Sequence, residues 1–176
     1  MKTLGLFVVL FISVCLCACA TRPPLATVPF VDLDRYSGRW HEIAKYPNWF
    51  QRACAAGATA DYSALPDGSI KVVNSCPRKN GSLKTVVGRA TVVPGSGNAR
   101  LKVRFFGPFA GDYWIIGLDE KRYSWALVGH PSRRFLWILS RQPKMPQALY
   151  RQIIGIAVEK GYNAERIGPS PSSIGH

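Results

Sequence analysis

From residue 36 onward, apolar and polar positions alternate in short runs that end at turn signals. The clearest run is ARLKVRF, in which Leu101, Val103 and Phe105 share one phase and Arg100, Lys102 and Arg104 the other. Successive side chains on a strand point to opposite faces, so the apolar phase is the inner one. LPDGS, PGSGN and LDEKR supply turn chemistry between runs. The pattern predicts strands at residues 39–47, 54–65, 69–76, 83–93, 99–106, 112–119, 122–129 and 134–141. Eight short strands joined in sequence predict an all-β fold, either an up-and-down barrel or a sandwich.

After the last run the period changes. PQALYRQIIGIAVEKGY places Leu149, Ile153, Ile156 and Ala157 at helical spacing, with Lys160 in the last turn and Gly161 as a C-cap. Gly155 weakens this helix, which most simply packs outside a closed sheet.

The first residues do not belong to the folded unit. MKTLGLFVVLFISVCLCACA has one Lys, an apolar run from Leu4 to Leu16, and then small residues. That reads as a secretory signal peptide over residues 1–18, too short for a membrane span. Residues 19–30, including TRPPLATVPF, read as a Pro-rich tether, residues 31–168 as the folded domain, and residues 169–176 as a C-terminal tail.

LCAC, residues 16–19, resembles the lipobox of bacterial lipoproteins. That resemblance implies that Cys19 is acylated and becomes the first mature residue, a membrane anchor. A plain signal peptide cut near Ala18 or Ala20 is the alternative. In lipoproteins an Asp after the cysteine favours retention at the inner membrane; Ala20 stands there instead. The implied location is therefore the periplasmic face of a Gram-negative outer membrane, where several acyl chains hold more firmly than one.

Removing that leader leaves Cys54 and Cys76, an even pair that in an oxidising compartment reads as a disulfide worth about 3 kcal/mol. No histidines cluster near them, so neither a metal site nor a cofactor is expected. The formal net charge is +13, and basic surfaces attract nucleic acid, anionic lipid or lipopolysaccharide alike. An exported chain does not meet nucleic acid.

GRW at the start of the first strand, GDYWIIGLD in the sixth and LWILSRQP at the end of the eighth, followed by one helix, resemble the conserved blocks of the lipocalins. The resemblance spans about Val31 to Ile167. It is strongest to the bacterial outer-membrane lipoprotein lipocalins, relatives of apolipoprotein D. It implies an eight-stranded antiparallel up-and-down β-barrel with one C-terminal α-helix packed outside. Gly111-Asp112 replaces the usual Thr-Asp before the sixth-strand Tyr, and His41 stands where Tyr is common. The family further implies that Trp40 closes the barrel base beneath Arg141 of the last strand. Glu42 shares the phase of Trp40, points into the lower lumen, and needs Arg141 or another buried donor.

Period-2 phasing, aided by the resemblance, proposes Tyr62, Val72, Leu101, Val103, Phe105, Tyr113, Ile115, Trp125, Leu127, Trp137 and Leu139 as lumen-facing. All of these except Leu101 are the proposed ligand contacts. The up-and-down count puts YPNWFQRA, CPRKNGS, FFGPFAG and GHPSRR at the open end. Those loops carry Trp49, Phe50, Phe106 and Phe109 with Arg52, Arg78, Lys79, Arg133 and Arg134, and no Asp or Glu. Asp67, Asp119 and Glu120 fall in closed-end turns.

An eight-stranded barrel can hold one small ligand. The expected function is binding, storage or transport of a lipophilic ligand such as a fatty acid or lysophospholipid, by a monomer or homodimer. Two alternatives stand beside it. One is an envelope protein that binds anionic lipid or lipopolysaccharide through its basic rim. The other is an enzyme built on the same fold, for which Glu42 or Asp61 would be the first suspect. The sequence shows no Ser elbow and no free Cys–His pair once the disulfide forms, so it reads as a binding protein and not an enzyme.

Overall fold

Eight strands close the sheet on itself: β1 (Gly38–Lys45), β2 (Thr59–Ala64), β3 (Ile70–Pro77), β4 (Leu83–Val92), β5 (Arg100–Arg104), β6 (Gly111–Leu118), β7 (Trp125–Gly129) and β8 (Leu136–Ser140). Each pairs antiparallel with the next, and β8 returns to β1 through His41↔Ser140 and Glu42↔Leu139. Closure removes the sheet edges that would otherwise template aggregation. The computed structural model describes residues 22–55 and 57–175; the expected leader and Cys19 lie outside them.

The observed strands sit within a few residues of those expected, with one larger difference. β2 begins at Thr59 and not at residue 54, because Cys54 belongs to a loop pinned by its disulfide to Cys76, with Cα atoms 5.5 Å apart. A short helix, α1 (Leu33–Tyr36), precedes β1, and the Asp32 carboxylate caps it by accepting from the Asp34 and Arg35 amides.

The strands bury two faces. The inner one gathers Trp40, Tyr62, Val72, Leu101, Val103, Ile115 and Leu139, with Phe105, Tyr113 and Trp137 against them. The outer one gathers Ile43, Ile116, Leu127, Leu136 and Ile138 beneath Ile153 and Ala157 of α2 (Gln147–Glu159). Burying one such aliphatic side chain contributes about 1.5–3 kcal/mol. The helix ends one residue earlier than expected: Lys160 is the C-cap, and Gly161 follows it at φ +84°, a conformation glycine adopts freely.

The phase of β7 corrects the sequence reading. Trp125 and Leu127 lie on the outer face with α2, and Ala126 and Val128 point inward. The register agrees, since Ala126 and Val128 pair with the inward Leu139 and Trp137. Because α2 covers the outside here, both faces of β7 are apolar and alternation carries no signal. The larger side chains fill the space beneath the helix.

Both ends of the described chain are packed, which corrects the expectation of a tether and a tail. Leu25 is buried in the outer core. The Val28 amide donates to the Ile115 carbonyl (3.0 Å) and the Val31 amide to that of Gly97 (2.8 Å). Gly97, at φ +59°, lies so close under the Pro29 carbonyl that a Cβ would collide with it. At the other end β9 (Met145–Pro146) pairs in parallel with β11 (Ile174–Gly175), and β10 (Gly168–Pro169) adds to β1 through Ala44↔Pro169.

Candidate ligand cavity and its rim

The base of the barrel is closely packed and tightly bonded. Trp40 is fully buried, and its indole N–H donates to the Tyr36 carbonyl at 2.8 Å. The Arg141 guanidinium lies 3.9 Å from the indole centroid and donates to the carbonyls of Arg35 (2.6 Å), Arg39 (2.8 Å) and Ser37 (2.9 Å). This pair closes the floor, as the resemblance implied.

Above the floor stands a cluster of three phenols. The Tyr113 hydroxyl is 2.7 Å from that of Tyr36 and accepts from Tyr62 at 2.9 Å. Burial pushes all three up: Tyr62 to about 12, and Tyr36 and Tyr113 well above the ordinary tyrosine value. These groups stay neutral and present hydroxyls, not charge, to the cavity. Phe105 lies across Gly88 of β4, where a Cβ would come within 2.6 Å of the ring. Glycine makes room for that aromatic wall.

Toward the mouth, inward-facing residues keep partial exposure: Ala60, Asn74, Val86, Phe105, Tyr113 and Trp137. Side chains that point into the barrel and still see solvent mark accessible space. The Asn74 Oδ1 is buried and has no hydrogen-bond partner among the described residues. Higher still, Lys84 follows the inner phase of β4 and donates to the Phe50 carbonyl at 3.1 Å. Phe50 packs against Phe135 (5.9 Å) and Trp137 (6.3 Å), and the latter two stack at 6.0 Å, so an aromatic group overhangs the opening.

Of the expected ligand contacts, Tyr62, Val72, Val103, Phe105, Tyr113, Ile115, Trp137 and Leu139 fall on the inner face, and Trp125 and Leu127 do not. Sequence reading missed Asn74, Lys84, Phe135 and the inward pair Ala126 and Val128. Strict period-2 phasing from Val72 reaches Asn74, and phasing back from Gly88 reaches Lys84; their polarity hid them.

Glu42 is buried, but not in the lower lumen and not against Arg141. A register shift between Glu42 and Ala44 turns the carboxylate toward the β1–β2 loop and the C-terminal segment. There it accepts from Lys45 (2.5 Å), Gln51 (2.6 Å) and Ser170 (3.0 Å). The Gln51 carbonyl in turn accepts from the Trp137 indole at 3.2 Å. Glu42 thus positions the loop that carries Phe50.

At the rim, Trp49, Phe106 and Phe109 are 72%, 74% and 85% exposed, and Arg52 and Arg134 are exposed with Phe50. Arg133 departs from the expected set. Its side chain folds outside the barrel, donating to the carbonyls of Lys160 (2.7 Å) and Pro23 (2.7 Å). Two surface clefts, of about 400 Å³ beside Trp49 and Pro169 and about 520 Å³ beside His41 and Lys144, lie outside the lumen where the C-terminal segment crosses β1. They are open and walled by loops, whereas the lumen brings apolar walls and polar groups together.

Comparison with known proteins bears on this arrangement. The lipocalin-like domain matches residues 31–172. Temperature-induced lipocalin-1 of Arabidopsis thaliana is 38% identical, over 86% of this chain and 85% of that protein. The outer membrane lipoprotein Blc of Vibrio cholerae is 36% identical, over 88% of this chain and 91% of its own. Among solved structures, insecticyanin from the tobacco hornworm Manduca sexta superposes with a TM-score of 0.69 at 21% identity, covering 85% of each chain, a likeness of fold alone.

Proposed function

The chain belongs to the lipocalin-like domain family, and on that premise we propose that it is a binding protein and not an enzyme, its barrel holding one elongated amphiphile. The observation that carries this reading is the partial exposure of Asn74, Val86, Phe105, Tyr113 and Trp137 on the inner face of a closed barrel. An acyl chain lies between Phe105, Val72 and Val103, above the neutral tyrosine hydroxyls. The head sits near the mouth, where Lys84 offers a cation. A fatty acid or lysophospholipid meets both demands: an apolar tail that fills the barrel, and a carboxylate or phosphate that pairs with the ammonium.

Cys19 is acylated in this reading, and the protein stores or carries membrane-derived lipid at the outer membrane of a Gram-negative cell. The lipobox-like LCAC and the 36% identity to a protein named as an outer membrane lipoprotein support it.

The test is displacement of a fluorescent fatty acid from the full chain. Trp137→Arg should abolish binding, because it puts a charge across the lumen. Lys84→Glu should weaken a fatty acid by about tenfold or more and leave the matching fatty alcohol unchanged, as a single head-group ion pair is worth roughly that factor. Absence of displacement by fatty acids and lysophospholipids from the unaltered chain would sink the reading.

A further inference from the structure

Which end of the barrel meets a membrane depends on where the described chain begins and what holds it there. Arg133 belongs to the β7–β8 loop at the open end. It donates to the Pro23 carbonyl at 2.7 Å, and Lys160, at the end of α2, donates to that of Ala26 at 3.2 Å. The chain then descends along the outside, burying Leu25 and bonding Val28 and Val31 to Ile115 and Gly97. Its first described residues are thus fastened beside the mouth, and the contacts that follow leave no slack for the barrel to turn over. Cys19 precedes Pro23 by four residues, at most about 14 Å of extended chain.

The surface at that end has the matching chemistry. Three aromatic side chains project almost freely: Trp49 from the β1–β2 loop, and Phe106 and Phe109 from the β5–β6 loop. Arg52, Arg78, Lys79 and Arg134 surround them, and none of the four mouth loops holds an Asp or Glu. Asp112, at the foot of the β5–β6 loop, is already paired with Lys102 at 2.7 Å. The turns at the opposite end carry Asp67, Asp119 and Glu120 beside Lys121 and Arg122, a mixed surface with no exposed aromatic cluster among the described residues. Aromatic rings that seat at the headgroup level, within a ring of cations, complement an anionic bilayer surface, and the closed end does not.

We infer that the barrel stands mouth-down on an anionic phospholipid surface, with Trp49, Phe106 and Phe109 seated among the headgroups and the lumen opening directly onto the lipid. The orientation rests on the proposed anchor at Cys19; the rim chemistry does not. A lipid ligand then passes between bilayer and cavity without crossing water.

Hydrogen exchange of the full chain tests this, measured on vesicles of phosphatidylcholine with one quarter phosphatidylglycerol and in their absence. The vesicles should slow exchange in the mouth loops, residues 46–53, 77–82 and 105–111, and leave the closed-end turns at residues 65–69, 94–98 and 119–124 unchanged. The double variant F106D/F109D should lose the protection of residues 105–111 while still binding a fluorescent fatty acid. Protection of the closed-end turns would overturn the inference, and so would a chain that pellets with the vesicles but exchanges equally at both ends. A chain that protects its mouth yet binds no fatty acid would support this orientation and count against the cavity reading alone.

Discussion

Arg141 clasps Trp40 from below, with its guanidinium 3.9 Å from the indole centroid and its nitrogens shared among three carbonyls of the α1–β1 corner. Removing it leaves both the indole face and those carbonyls without a partner. Arg141→Ala should cost about 3 kcal/mol, and Arg141→Lys about half as much, since an ammonium keeps the charge but not the fork. Urea unfolding followed by tryptophan emission measures both.

Gly88 is the one position in β4 where a methyl group is excluded by an inner-wall aromatic. A Cβ there would meet Phe105 at 2.6 Å and the Arg104 carbonyl at 2.7 Å, and the second contact is backbone. Gly88→Ala should destabilise by about 2 kcal/mol and narrow the lumen, lowering fatty-acid affinity more than it lowers stability. Thermal unfolding and ligand displacement on the same preparation separate the two effects.

Tyr113 is the shared partner of the buried phenol cluster. Tyr113→Phe strands the Tyr36 and Tyr62 hydroxyls where water is scarce. The expected loss is about 2 kcal/mol, larger than for Tyr62→Phe, which breaks only one bond. Chemical denaturation of the two variants side by side reads the difference.

The same cluster sets an alkaline limit. Tyr62 releases its proton near 12 when folded and near 10 when unfolded, because burial disfavours the phenolate. The unfolded chain therefore gives up protons first as pH rises. Stability should be fully present below pH 10 and fall progressively between pH 10 and 12. Absorbance at 295 nm should show these phenolates appearing only as the chain unfolds.

Cys54 and Cys76 join the β1–β2 loop to β3 across 22 residues. Reduction should lower stability by about 3 kcal/mol and loosen the loop that carries Phe50. Mass spectrometry before and after reduction, with unfolding curves for each form, checks it.

Much of this was legible in the chain. Strong alternation, as in Leu101, Val103 and Phe105, fixed strands and inner face together, and all three lie inside. The reading failed where a second layer hides the alternation. Under α2, Trp125 and Leu127 are as apolar as any lumen residue, and only the pairing of Ala126 with Leu139 tells the faces apart. It failed again where a polar side chain occupies an inner phase, as Lys84 and Asn74 do. Glu42 escaped because a single register shift redirects everything after it, and alternation cannot show a bulge. The docking of residues 22–31 rests on isolated contacts, among them Arg133 to Pro23, that leave no periodic trace.

The addition of β10 to β1 ties the order of synthesis to the order of folding. Between Ala44 and Lys45 the first strand takes its neighbour from Gly168 and Pro169, and Ser170 completes the coordination of Glu42 across 128 positions of sequence. A chain still emerging from the ribosome lacks these residues, so one edge of β1 at Ala44 and Lys45 stays open, and Glu42 holds Lys45 and Gln51 but not yet Ser170, until residues 168–170 are made. The container itself closes earlier, when β8 reaches β1, and β10 then seals the last open edge of the first strand.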